Sequence, residues 1–133
     1  MILIDTSVWI PILSDKKGSY TEALERETEG HDIVLTRFQQ LELLQGCRNE
    51  DQWFRLHEYL DSQAYLEARS TTWPEAARIY FLLRKLGITV RSPIDCCIAQ
   101  IAMERDALLV HDDRDFDLIG KHFPLQHRRW RQK

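Results

Sequence analysis

The chain opens with Met1-Ile2-Leu3-Ile4-Asp5-Thr6-Ser7, a short apolar run that stops on an acid followed by two hydroxyl residues. A short, continuous apolar run is typical of a strand buried on both faces of a parallel sheet. Similar runs predict two more buried strands, at Ile33–Leu35 and Ala107–Val110. Weaker strand candidates lie at Ala64–Leu66, Ile88–Val90 and Phe123–Leu125.

Capping-box patterns predict where helices begin between these strands. In this pattern a Ser or Thr is followed three residues later by an acid or amide, and the two side chains satisfy free backbone N–H groups. Pro93 stands at a favoured first helical position, and Gly87 is predicted to end the preceding helix. The capping pairs are Ser19 with Glu22, Thr36 with Gln39, Thr72 with Glu75, and Ser92 with Asp95.

Strands that alternate with helices predict an α/β fold, in which a parallel sheet is covered on both faces. Ligands bind such sheets beyond the carboxyl ends of the strands. The 133 residues suit one domain, residues 1–133, and the balance of 44% apolar and 29% charged residues is that of a globular protein. The search for function therefore begins with the side chains that follow each predicted strand.

Composition favours a cytoplasmic protein without a membrane partner. The apolar runs are too short to span a bilayer. The first residues show no basic region and no small-residue cleavage site, so we expect no signal peptide. Cys47, Cys96 and Cys97 match neither a disulfide framework nor a CxxC metal site, which favours a reducing compartment. The net charge of −3 is not that of a typical nucleic-acid binder. The basic tail His127–Lys133 is expected to be a frayed, hydrated terminus, although its charge suits phosphate.

Three separate acids are the first candidates for a ligand site. Asp5 follows the first strand, and it either caps the next helix or contributes to a site. Glu42 lies among leucines one turn after Phe38, where it either reaches water or has its charge compensated by a cation. Asp95 begins the strongly apolar helix that contains Cys96–Ala102, where it is either a helix-capping acid or a ligand.

A fourth group of acids follows the predicted strand Ala107–Val110, in the segment His111–Asp117. Most such clusters are hydrated turns. Here we expect Asp113 and Asp115 to point inward, because Phe116 should be buried and should anchor the segment.

Carboxylates that converge at one edge of a sheet repel one another, which raises the pKa of some of them. A hard divalent cation relieves that repulsion, and ligands that are all oxygen favour Mg²⁺ or Mn²⁺ over zinc. The five histidines show none of the spacings of a zinc site. The sequence therefore predicts a magnesium or manganese site.

Together these motifs resemble the acidic signature of PIN domains and, among them, the VapC-type toxins of bacterial toxin–antitoxin pairs. The resemblance rests on Leu3–Ser7, on Glu42 within Leu41–Gly46, on Ser92–Ala99 and on Leu109–Phe116. It implies a PIN-like α/β/α sandwich with a parallel sheet of four to five strands. It also implies an endoribonuclease dependent on Mg²⁺ or Mn²⁺ that leaves a 5′-phosphate, forms a homodimer and is inhibited by a cognate antitoxin.

The resemblance also implies roles for individual residues. The catalytic positions are Asp5, Glu42, Asp95 and Asp113, of which Asp5, Asp95 and Asp113 hold the metal and Glu42 orients or deprotonates the attacking water. Accessory roles fall to Ser7 and Asp115. Asp112 departs from the family pattern, so either Asp112 or Asp113 could be the ligand. Candidates for RNA contact are Arg91, Arg114, Arg128, Arg129 and Arg131.

Two other functions stay open at this point. Asp5 stands where a phosphoryl-accepting α/β domain has its nucleophile, although Ser7 replaces the second acid that one such family requires. The chain could also be a PIN-like binding module without catalytic activity, whose acids are caps and surface groups.

Overall fold

The computed structural model describes residues 1–130, which include one five-stranded, all-parallel sheet. The strands are β1 (Ile2–Ile4), β2 (Ile33–Leu35), β3 (Ala64–Tyr65), β4 (Leu108–His111) and β5 (His127–Arg129). Their order in the sheet is β3-β2-β1-β4-β5, and the central strand β1 pairs with β2 through Leu3 and Val34 and with β4 through Ile4 and Val110. The predicted α/β class and the parallel sheet are confirmed.

Helices cover both faces of the sheet. The helices of residues 1–130 are α1 (Thr6–Ser14), α2 (Ser19–Thr28), α3 (Arg37–Gln45), α4 (Glu50–Asp61), α5 (Thr72–Lys85), α6 (Pro93–Glu104) and α7 (Arg114–His122). Successive residues of the central strand point to opposite sides of the sheet, so each side has its own core. Leu3 belongs to the core formed with α5, α6 and α7, whereas Ile2 and Ile4 belong to the core formed with α1 to α4.

Two of the four predicted helix starts are confirmed. Thr36 and Gln39 form the capping box of α3. The side chain of Ser92 caps α6 by accepting from the N–H of Ile94, and Pro93 is the first helical residue. α3 therefore begins directly after β2, at the carboxyl end of that strand, whereas α6 begins after a loop.

The other two capping predictions are wrong. The cap of α2 is Gly18, whose φ of 75° needs a residue without a Cβ, and Ser19 lies inside the helix. The hydroxyl of Thr72 donates to Glu104 on α6 instead of capping α5. Gly87, with a φ of 79°, follows the end of α5 as predicted.

The strand predictions fail where an apolar segment does not pair with the sheet or a polar segment does. The segments 88–90 and 123–125 are apolar but are not strands, and Val90 is buried in a loop. The fifth strand is instead the polar run His127–Arg129, which pairs with β4. The expectation of a frayed tail is wrong for residues 127–130, because Trp130 is buried and its N–H donates to the carbonyl of His111. None of the helices described is long and apolar enough to cross a bilayer.

Candidate active site

Asp5 is both a helix cap and a buried acid at the carboxyl end of β1. Its Oδ2 accepts from the backbone N–H of Ser7 at 3.1 Å and from the Ser7 hydroxyl at 2.7 Å. Its Oδ1 accepts from Nε2 of Gln39 at 3.4 Å. The side chain is buried, with 6% of the residue exposed. The two interpretations of Asp5 are therefore compatible, because capping fixes the carboxylate at the edge of the sheet.

Ser7 links the ends of the two central strands. While its hydroxyl donates to Asp5, its oxygen accepts from the backbone N–H of Asp112 at 2.9 Å. Asp112 follows β4 directly. One hydroxyl thus ties the loop after β4 to the acid after β1.

Glu42 lies on α3 and is half-buried near Asp5. The Thr6 hydroxyl donates to its Oε1 at 3.3 Å. Burial raises the pKa of Glu42, and the negative charge of Asp5 raises it further. Glu42 therefore holds a proton more readily than an exposed glutamate.

Asp95 is the most perturbed carboxyl of the site. It lies in the first turn of α6, where burial, reinforced by the charges of four other acids, raises its pKa to about 7. Those acids are Asp113, Asp5, Asp115 and Glu42, in decreasing order of effect. The acids from four separated segments of the chain therefore share one electrostatic environment.

Asp113 and Asp115 stand at the start of α7 beside Asp95. Carboxylate oxygens of the three residues lie within 4.8 Å of one another. Asp113 caps α7, and its Oδ1 accepts from the N–H of Asp115 at 3.0 Å and from Nη2 of Arg91 at 2.6 Å. Oδ2 of Asp115 accepts from both the backbone N–H and Nε of Arg91, each at 3.0 Å. Each of the two carboxylates thus keeps one oxygen outside these hydrogen bonds, and Arg91 binds Asp115 through both its backbone and its side chain.

The carboxylate of Asp112 lies away from this cluster. Its Oδ1 accepts from Nε of Arg129 at 3.0 Å, and the side chain is partly exposed. Of the two neighbouring acids, it is Asp113 that shares the cluster with Asp95.

Comparison with known proteins identifies the family of the chain. The family model described as "PIN domain" matches residues 2–122. The chain belongs to the PIN domain family. It is 32% identical to the VapC ribonuclease Mb1587 of Mycobacterium bovis over 129 residues, which cover 95% of this chain and 96% of that protein. It is also 32% identical to ribonuclease VapC51 of Mycobacterium tuberculosis over 118 residues, which cover 89% and 84% of the two chains.

Solved structures share the fold at lower identity. VapBC2 from Rickettsia felis, in a complex with a DNA fragment from its promoter, superposes with a TM-score of 0.79 at 20% identity and covers 98% of this chain and 100% of that chain. FitAB bound to the IR36 DNA fragment superposes with a TM-score of 0.76 at 17% identity and covers 100% and 98%. The expected PIN-like α/β/α architecture is confirmed.

This PIN domain contains a second cluster of possible metal ligands, which consists of His111, Asp117 and His127. The sequence does not predict this cluster, because it does not predict strand β5, which brings His127 beside β4. Nδ1 of His111 accepts from the N–H of Asp113 at 3.2 Å, so in its neutral form the proton is on Nε2, which lies 3.0 Å from Nδ1 of His127. If a metal ion bound Nε2, the ring proton would have to be on Nδ1, where it would face the N–H of Asp113 and the hydrogen bond would be lost. Burial lowers the pKa of His111, which favours the neutral ring. We therefore interpret this cluster as a hydrogen-bonded chain that fixes the backbone of Asp113.

The arginines expected to contact RNA fall in different places. Arg91 contacts Asp113 and Asp115, and Arg129 pairs with Asp112 and Asp117. Arg114 is exposed in the first turn of α7. Arg128 is exposed on β5 and points to the opposite face of the sheet from Arg129. Arg131 lies outside the described residues.

Proposed function

We propose that this PIN domain is a metal-dependent endoribonuclease that cleaves RNA phosphodiester bonds and acts as the toxin of a toxin–antitoxin pair. The observation that carries the proposal is the convergence of four acids on a fifth, the half-buried Asp95, whose pKa burial and their charges together raise to about 7. Like charges are not assembled in this way without cost, and a divalent cation compensates them. The names of the relatives, VapC ribonucleases, supply the reaction class.

The residues present fit a hard divalent cation. The donors are all carboxylate oxygens, which Mg²⁺ and Mn²⁺ prefer. We assign the ion to Asp5, Asp95 and Asp113. Asp115 is accessory in this assignment, because its side chain is only 4% exposed, against 17% for Asp113, and it accepts from both the backbone and the side chain of Arg91. A bound ion would lower the pKa of a water and neutralise charge that develops on the scissile phosphate.

The chain's own residues would position the water and the ligands. Glu42 is suited to accept a proton from the attacking water, because burial and the charge of Asp5 raise its pKa and Thr6 orients it. Ser7 orients Asp5 through two hydrogen bonds. In-line attack would leave a 5′-phosphate and a 3′-hydroxyl.

We further propose RNA, a cognate antitoxin and a second copy of the chain as partners, met in the cytoplasm. The antitoxin is suggested by the structural relatives, which include a toxin–antitoxin complex from Klebsiella pneumoniae and VapBC complexes. The homodimer is an extension of the family resemblance.

Asp95→Asn and Asp113→Asn test the proposal in the purified protein with a labelled single-stranded RNA and Mg²⁺. Each change removes one charge with little change in shape, and asparagine still caps α7 at position 113. We expect each variant to fold and to cleave at least about 100-fold more slowly, as for the loss of other charge-stabilising groups in active sites.

Asp112→Asn is the matched control, because it removes the neighbouring charge outside the cluster. This variant should cleave at close to the wild-type rate, and EDTA should stop wild-type cleavage. Full activity of the wild type in EDTA, or equal loss in Asp112→Asn and Asp113→Asn, would contradict the assignment.

A further inference from the structure

Arg91 is held against the acidic cluster by three hydrogen bonds. Its backbone N–H and its Nε both donate to Oδ2 of Asp115, and its Nη2 donates to Oδ1 of Asp113. The loop that carries Arg91 follows the buried Val90 and precedes the cap of α6, Ser92. The position of the guanidinium is therefore fixed from both its backbone and its side chain.

Asp115 is buried more deeply than its partner. Its side chain is 4% exposed, whereas that of Arg91 is 72% exposed. A buried carboxylate that accepts twice from one arginine has its charge compensated within the protein. Asp115 thus serves as the anchor of the pair, and the exposed guanidinium is the part presented to solvent.

The guanidinium keeps donors that the pair does not use. An arginine has five side-chain N–H groups, of which Nε–H and one on Nη2 are used here, so three remain. These remaining donors belong to Nη1 and Nη2, the two nitrogens that form the fork matching a phosphate. They lie beside Asp113, at the edge of the carboxylate cluster.

We propose that Arg91 binds a phosphate of the RNA strand next to the acidic cluster, and that Asp115 is its positioning residue and not a metal ligand. This inference rests on the proposed function and deepens it. A cluster of carboxylates repels a phosphodiester backbone, and a fixed cation at its edge offsets that repulsion where the strand must pass. Within residues 1–130, Arg91 is the arginine paired with Asp113 and Asp115.

Arg91→Gln tests the phosphate contact through the salt dependence of RNA binding. Binding of a labelled single-stranded RNA is measured by fluorescence anisotropy between about 50 and about 200 mM salt, with Ca²⁺ in place of Mg²⁺ and the RNA checked for integrity. Each phosphate contact on a single strand contributes about −0.7 to the slope of log K against log salt. We expect the variant to lose about 0.7 of that slope and to bind roughly tenfold more weakly at low salt.

Arg55→Gln is the matched control. Arg55 is exposed on α4 and pairs with Asp51 one turn away, so its loss removes the same charge from another part of the surface. Its slope should equal that of the wild type. An unchanged slope in Arg91→Gln, or equal reductions in Arg91→Gln and Arg55→Gln, would overturn the inference.

Asp115→Asn separates positioning from metal binding and serves if Arg91→Gln does not fold. Mn²⁺ affinity is measured by electron paramagnetic resonance without RNA. We expect Asp115→Asn to keep wild-type Mn²⁺ affinity but to bind RNA more weakly, whereas Asp113→Asn should lose Mn²⁺ affinity. Equal loss of Mn²⁺ affinity in both variants would make Asp115 a ligand and overturn its positioning role. A wild-type protein that binds this RNA without cleaving it in Mg²⁺ would defeat only the proposed function.

Discussion

At the scale of single residues, Asp95 shows how burial and like charge combine on one carboxyl. Its pKa rises from 3.8 to about 7, first because of burial and then because of Asp113, Asp5, Asp115 and Glu42. A carboxyl whose pKa is higher in the folded state favours folding while it is protonated, so the native state binds more protons than the unfolded chain in this range. Stability without a cation therefore falls as pH rises from about 4 to about 8.

The corresponding prediction compares wild type with Asp95→Asn in EDTA. We expect the melting temperature of the wild type to fall between pH 5 and pH 8 by several degrees more than that of the variant, because asparagine does not ionise. Thermal unfolding followed by circular dichroism measures both. Parallel pH profiles in the two proteins would show that Asp95 is not the group responsible.

Several site residues could be predicted because they stand at the ends of predicted strands or the starts of predicted helices. Asp5 and Asp113 each stand at or near the end of a buried strand, and Asp95 follows a Ser-Pro helix start, so their neighbourhood was fixed by topology. The distinction between Asp112 and Asp113 could not be made, because it depends on the backbone turn between β4 and α7. The pairing of Arg91 with Asp115 bridges 24 residues, and no local pattern specifies it.

At the scale of elements, the strands that the sequence predicts and the one that it does not are stabilised by different interactions. The strands β1 and β4 are held by apolar burial on both faces, which leaves a signal in the sequence. The edge strand β5 is polar, and its side chains are satisfied by specific partners: His127 contacts His111, and Arg129 pairs with Asp112 and Asp117. These partners come together only in the folded chain, so no local sequence pattern predicts them.

Gly120 on α7 tests how tightly β5 is packed. A Cβ at this position would collide with Nε2 and Cδ2 of His127. We expect Gly120→Ala to lower the free energy of unfolding by about 1–3 kcal/mol, as other overpacking changes do. Urea denaturation measures the change.

Gly46→Ala is the control for that change. A Cβ there would meet only backbone oxygens at 3.6 and 3.7 Å, which is ordinary contact. Its effect on the free energy of unfolding should be within about 0.5 kcal/mol. Equal effects of the two substitutions would mean that helix propensity, and not the contact with His127, dominates.

At the scale of the whole molecule, one sheet brings the acids together. Asp5, Asp95 and Asp113 lie at the starts of α1, α6 and α7, and Glu42 lies in the second half of α3. These helices belong to both layers of the sandwich. The fold stabilises this arrangement through two apolar cores, one on each side of β1. The repulsion among the acids therefore lowers the free energy of unfolding of the entire domain. Relief of that repulsion should raise the same free energy.

A divalent cation should accordingly stabilise the whole domain. An ion that binds only the native state at about 100 times its Kd adds about 2.7 kcal/mol to the free energy of unfolding. In a chain of this length that corresponds to a rise in melting temperature of roughly 5–10 °C. Differential scanning calorimetry with Mg²⁺, against NaCl of equal ionic strength, measures the rise. Asp95→Asn should show a much smaller rise and Asp112→Asn the full one, because Asp95 belongs to the acidic cluster and Asp112 does not. The same rise in all three proteins would place the ion elsewhere on the surface.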